Sequence, residues 1–200
     1  MSTYNAIKYN VSFANAGGLK LIKTLTASSS STLSFVDGSS DVVLDSTYKE
    51  YLFIFNNIHP SNDNANLQFN MSVDTGSNYN VQKTSTMFRA YQTEDGTSTG
   101  LGYRTGDDLA NGTGVQTLVV EGGNDNDANS VGFLRLFDPS STTFVKHFLF
   151  TGMTDASGDT ARPTYAAGFG NTTSAVDAIQ FTPSAGTIDA GTIQLFGVVS

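Results

Sequence analysis

The chain predicts an all-β fold: an antiparallel β-sandwich, jelly-roll-like, with an N-terminal extended arm. Three observations predict it. Apolar residues recur at every second position in many short runs, the period of a half-buried strand. Gly, Asp and Asn cluster between those runs, as turns between antiparallel strands require. No stretch repeats its apolar residues at helical spacing, and about eleven or twelve strand-like runs fill the 200 residues.

Residues 1–18 read as an arm or first strand. Ile7, Tyr9, Val11 and Phe13 alternate with Lys8, Asn10 and Ser12, and Gly17-Gly18 separates this run from the next apolar one. Such a strand pairs at home or adds to a partner's sheet edge, and its four apolar residues are the expected partner contacts. Residues 19–200 read as one sandwich domain. LKLIKTLTA (19–27) is a strand, followed by the joint SSSST. LSFV and DVVL are strands flanking the tight turn at Asp37-Gly38, where glycine tolerates positive φ. Tyr51 to Phe55 is apolar without a break, the pattern of a central strand covered on both faces. His59 and Pro60 then lead a loop through SNDNA, and Leu67, Phe69, Met71 and Val73 alternate as a strand with one wet face.

TMFRAYQ (86–92) is read as strand over short helix, because β-branched and aromatic residues surround it. Residues 93–114 are rich in Gly, Asp and Thr and read as a long connection, of the kind that carries function. Its Tyr103, Asp107 and Asp108 are candidate receptor-loop residues. QTLVVE (116–121), VGFLRLF (131–137) and TTFVKHFLFTG (142–152) are strands, the first two separated by the turn-rich GGNDNDANS. After a loop at Asp155–Thr160, PTYAAGF, AIQF and GTIQLFGVV complete the series.

Charge narrows the function. Only 14% of residues are charged, against roughly 25% in an ordinary domain. The polar surface is therefore built from Ser, Thr, Asn and Gln. The net charge of −8 and ten scattered basic residues argue against nucleic acid and anionic membranes as partners. No apolar run approaches the length of about 20 residues that a membrane helix needs, and the start has no apolar signal-peptide core. Without cysteine there is no disulfide and no thiolate metal site.

Catalytic signatures are weak throughout. There is no Gly-x-Ser-x-Gly, and the two histidines, His59 and His147, lie far apart in sequence. His147 falls on a strand, as a partly buried or cross-strand residue, and His59 in a loop. Calcium is the only metal with candidate ligands, at Asp125 and Asp127 or at Asp107-Asp108, but the EF-hand pattern is absent and Asp favours turns in any case. No pair of the 18 acids is marked out for glycoside hydrolysis, and GLGYRTG has the wrong spacing for a nucleotide loop. The expectation is no enzyme, no catalytic or cofactor-binding residue, no metal and no cofactor. A binding module or a structural building block remains.

Longer segments add a resemblance. LIKTLTASSSSTLSFVDGSSDVVLDSTYKEYLFIFNNIHPS, FDPSSTTFVKHF, FGNTTSAVDAIQF and AGTIQLFGV resemble virion structural proteins of tailed bacteriophages, especially phages of marine bacteria. The similarity covers most of the chain from about residue 20 and departs at Phe196, where the family pattern has Tyr. It implies a particle component, of the kind labelled decoration or tail-fibre protein, and brings no catalytic residues. The expected role is a capsid decoration, cement or knob protein on the outer surface of the virion, assembled in the host cytoplasm. Its expected partners are further copies of itself, as a trimer, and other virion proteins such as the major capsid protein. The alternative is a tail appendage that binds a host surface receptor or glycan through loops.

Overall fold

The computed structural model describes residues 18–199. The expected arm contacts Ile7, Tyr9, Val11 and Phe13 lie outside the described residues. Twelve strands and no helix make up the described residues: β1 (Gly18–Thr26), β2 (Leu33–Val36), β3 (Glu50–Pro60), β4 (Ala65–Ser72), β5 (Lys83–Thr93), β6 (Thr99–Tyr103), β7 (Gln116–Gly122), β8 (Ser130–Phe137), β9 (Lys146–Ala156), β10 (Thr160–Gly170), β11 (Ala178–Pro183) and β12 (Ile188–Val199). Every pairing is antiparallel.

The strands pair along two branches. The long branch runs β1-β12-β3-β8-β9-β10-β5-β6. The short branch runs β7-β4-β11-β2. They join where Gly122 of β7 pairs with Ala156 of β9, so the sheet curls into a nearly closed, barrel-like body.

Between the branches lies the apolar core. Tyr51, Phe53 and Phe55 of β3 point inward at successive odd positions and are buried, as are Phe148 and Phe150 of β9. From the short branch they meet Phe35, Phe69 and Phe181. Phe69 and Phe148 stack edge-on across the interior at 5.1 Å, and Phe35 and Phe53 at 5.4 Å. Two paired glycines make this density possible. A Cβ on Gly132 would stand 3.2 Å from the Phe150 ring, and one on Gly152 would stand closer still.

Several expectations are corrected. Leu52 and Ile54 are only half-buried, so β3 is central but has one covered face rather than two. DVVL is not a strand: Gly38 N–H bonds to Val42 O and Leu44 N–H to Asp37 Oδ1, so local turn bonds replace a ladder while Val42 and Leu44 stay buried. The chain remains extended through His59 and Pro60, which end β3 rather than begin a loop. On β4 the alternate residues Asn70 and Ser72 are buried too, and Val73 lies past the strand and exposed. The connection 93–114 contains β6, which forms a hairpin with β5. The first residues of TTFVKHFLFTG are irregular, and β9 continues beyond it to Ala156, shortening the expected loop before Thr160.

Candidate functional site

Strands β5 and β10 carry a partly inverted pattern, although Met87 and Ala166 still face the core. A strand over an apolar core normally turns apolar residues inward. Here Lys83, Ser85 and Arg89 of β5, and Arg162 and Thr164 of β10, face the interior, while Phe88 and Tyr165 face outward. Lys146 on β9 also faces inward, and both it and Lys83 pair with Gly170 of β10.

These cations are met by built partners. Lys83 Nζ donates to Asn70 Oδ1 and, at 2.8 Å, to Val81 O. Burial pushes its pKa down to about 7. Lys146 Nζ donates to the carbonyls of Phe144 and Thr172 at 2.6 and 3.2 Å, and burial lowers its pKa against the pull of Asp138. At the other end, Glu121 of β7 gathers three arginines. Its Oε2 lies 2.9 Å from Arg89 and 2.6 Å from Arg162, and its Oε1 lies 3.7 Å from Arg104. Burial works against its ionisation, but the hydrogen bond from Arg89 and the three guanidinium charges outweigh that, so its carboxyl stays below the ordinary value. Glu121 holds a left-handed backbone at φ 57°, a conformation unusual for a residue with a side chain. The cluster clasps the β5–β6 and β9–β10 hairpins to the short branch.

The outward aromatics are therefore not waste from a crowded core. Cross-strand register places them in one row. Ile54 of β3 pairs with Phe133 of β8, Phe133 with Thr151 of β9, Thr151 with Tyr165 of β10, Tyr165 with Phe88 of β5, and Phe88 with Tyr103 of β6. Phe133, Tyr165, Phe88 and Tyr103 are each 40–52% exposed. Phe88 and Tyr165 stack nearly parallel, with centroids 5.0 Å apart. Leu101, Leu149, Val131 and Met153 extend the apolar surface to either side. A contiguous exposed patch of this kind marks an interaction face. A shallow depression of about 280 Å³ lies on it between Ile54, Phe133, Thr151 and Tyr165.

Val131 and Met153 also line a second, larger cleft of about 640 Å³. Its remaining rim carries Glu94, Asp125, Asp127, Asp155 and Asp159, and among the described residues no basic one lines it. Burial and the charges of Asp159, Asp127 and Asp125 raise the pKa of Asp155. The acidic cleft and the aromatic row are thus one continuous surface. No group of three or more His, Cys, Asp or Glu among the described residues is arranged to hold a metal ion.

The expected receptor-loop residues fall in different surroundings. Tyr103 ends edge strand β6 as part of the aromatic row, and its hydroxyl donates to Asp108. Asp107 is buried and held by Arg104 Nε at 2.7 Å, so it serves the interior cluster. Asp125 and Asp127 lie in the cleft, away from the Asp107-Asp108 turn. His59 sits in β3 with Nε2 3.1 Å from Asp125 O. His147 is exposed and pairs across strands with Phe169, their rings 6.1 Å apart. The aromatic row itself escaped sequence reading. Its signal was the outward parity of Phe88 and Tyr165 opposite inward Lys and Arg, which becomes visible only once register is known.

No family model, curated protein or solved structure matches the chain.

Proposed function

We infer that the chain is a non-enzymatic structural protein on the exterior of a tailed-bacteriophage particle, a capsid decoration or cement protein acting as a homo-oligomer. The observation that carries this reading is the aromatic row, a broad apolar face on a rigid all-β block. Its partner is a protein surface, because apolar contact of that width needs a complementary face. The sequence resemblance supports the particle. The net charge of −8 suits an exterior position better than one against packaged DNA. A trimer gives an exchanging, head-to-tail contact a ring in which to close.

Strand order supports a jelly roll as the finer fold. In a jelly roll of eight strands, the first pairs with the last, the last with the third, and the third with the sixth, while the second, seventh, fourth and fifth form the opposing sheet. Setting aside the hairpins β5–β6 and β9–β10, the remaining strands pair as β1-β12-β3-β8 and β2-β11-β4-β7. That is the jelly-roll order, with two hairpins added beyond β8.

The test is copy number in purified particles, by quantitative mass spectrometry against the major shell protein. A simple ratio set by shell symmetry supports decoration. Absence from the particle overturns the reading. A trace ratio favours the second reading, a tail appendage that binds a host glycan. That reading rests on Tyr103 and the stacked Phe88–Tyr165 pair beside an acidic cleft, since aromatic faces stack on sugars. Glycan-array binding lost in Tyr103→Ala would favour it.

A further inference from the structure

We propose that the aromatic row is the dock for the N-terminal segment of a neighbouring copy, with Ile7, Tyr9, Val11 and Phe13 laid across β8, β9, β10, β5 and β6. The inference rests on reading the outer face as a protein-docking surface, and it names the occupant.

Size agrees. From β8 to β6 the row crosses four strand spacings, about 19 Å. Ile7 to Phe13 is six residue steps, about 20 Å when extended. Alternation presents four apolar side chains on one face of such a segment, against Phe133, Tyr165, Phe88 and Tyr103. Charge agrees as well. Residues 1–17 contain Lys8 and no acidic residue, whereas the cleft continuous with the row is lined, among the described residues, by five carboxylates and no base.

Reach favours a neighbour's row over a copy's own. Gly18 begins β1, at the far edge of the long branch. Thr24 is level with Phe133 through Gln194 and Ile54. Phe133 is therefore three strand spacings sideways from β1 and about 17 Å along it, a diagonal of about 22 Å. From Gly18 back to Phe13 there are five residue steps, about 18 Å at full extension. The path also has to bend over a convex face and reverse direction, because β1 already runs toward the level of the row. At full extension the segment would be taut and about 4 Å short of Phe133, a constraint that a neighbour's row does not impose.

A chain without cysteine makes the test clean. Full-length Val11→Cys and Thr151→Cys chains, distinguished by a mass tag, are mixed under mild oxidation. The heterodimeric disulfide is expected to form about ten-fold faster than between Val11→Cys and a control Ser39→Cys chain, through local concentration. Adding Tyr165→Ser and Phe133→Ser to the Thr151→Cys chain should remove that advantage. Equal rates with the control overturn the proposal. So does a doubly substituted Val11→Cys, Thr151→Cys chain that closes on itself rather than on a second copy. The experiment needs only purified chain, so its outcome is independent of copy number in particles, and failure of either reading is recognisable alone.

Discussion

Between β3 and β11 the interior is phenylalanine. Phe181 meets the rings of Phe35, Phe53, Phe55 and Phe69 at centroid distances of 5.1–6.4 Å. Beneath β5 and β10 basic side chains flank the apolar Met87 and Ala166, with Lys83 and Lys146 at one end and Arg89 and Arg162 at the other. Both regions are largely buried, but they are held by different means. The first gains from apolar area and ring geometry, which is tolerant of small shifts. The second depends on pairing its charges, because an unmatched buried charge is costly, and it still leaves Arg162 Nε and Thr164 Oγ1 buried without a partner among the described residues. What the second region gains is freedom on its other side: with cations inside, the same strands turn Phe88 and Tyr165 outward. The contrast teaches that the body was built twice, once for stability and once to present a face.

Substitutions separate these two roles. The largest effect is expected in the apolar region. Phe181→Ala should cost about 3–5 kcal/mol, read as a lower urea midpoint, since four rings lose their common neighbour. A cost under about 1 kcal/mol would mean that the rings repack and that the region is less specific than its geometry.

Glu121→Gln comes next, at about 2–3 kcal/mol. It leaves Arg89, Arg162 and Arg104 facing one another, with the cost moderated because the carboxylate is about a third exposed. The sign with pH follows from its lowered pKa. The stabilisation is complete above the ordinary glutamate value of 4.5 and is lost as pH falls through the folded value. The acid limb of an unfolding series should therefore shrink in Glu121→Gln.

Lys83→Met probes the other end. The ordinary lysine value is 10.5 and the folded value about 7. Between them the unfolded chain holds a proton that the folded chain has released, so stability rises with pH across that window and the cost of burying the charge is full below it. Methionine should raise stability at neutral pH by about 1–2 kcal/mol and flatten the rise, as measured by denaturant unfolding at several pH values. An unchanged slope would assign the pH dependence to another group.

The smallest effect on folding belongs to the outer face. Phe88→Ser combined with Tyr165→Ser should change monomer stability by about 1 kcal/mol or less, mostly through loss of their stacked pair. A much larger loss would make the row part of the fold rather than a presented surface.

The all-β class and most strands were legible because short apolar or alternating runs such as Tyr51–Phe55 and Leu67–Met71 are bounded by Gly, Asp and Asn turns. The exceptions have physical causes. DVVL carried strand composition, but Asp37 captured the Leu44 amide locally, and composition does not report that competition. The connection 93–114 hid β6 because TGLGY is short and its two apolar side chains are exposed. The middle was ambiguous for a deeper reason. Parity tells which residues share a face, and the usual rule then sends Lys and Arg outward. In β5 and β10 that rule fails, since the carbonyls and carboxylates that receive the cations come from Val81, Asn70 and Glu121 on other elements or beyond the strand. For the same reason Asp107 read as a loop residue, although it is an interior partner of Arg104.

One consequence of the join between the branches is mechanical. Among the described residues, Gly122 and Ala156 form its single register pair, flanked by Gly123 N–H to Asp155 O and Ser157 N–H to Glu121 O. Elsewhere the long branch is held by whole ladders, such as the eleven paired positions of β9 and β10. The body is a split cuff. Load along the strands is shared by many rungs at once, whereas load around the girth concentrates on the split and on the ion pairs of Glu121. Stiffness is therefore directional: β1 and β2, the free ends of the two branches, are not paired with each other, so across the girth the branches rest on this one join, the ion pairs and the packing of the core.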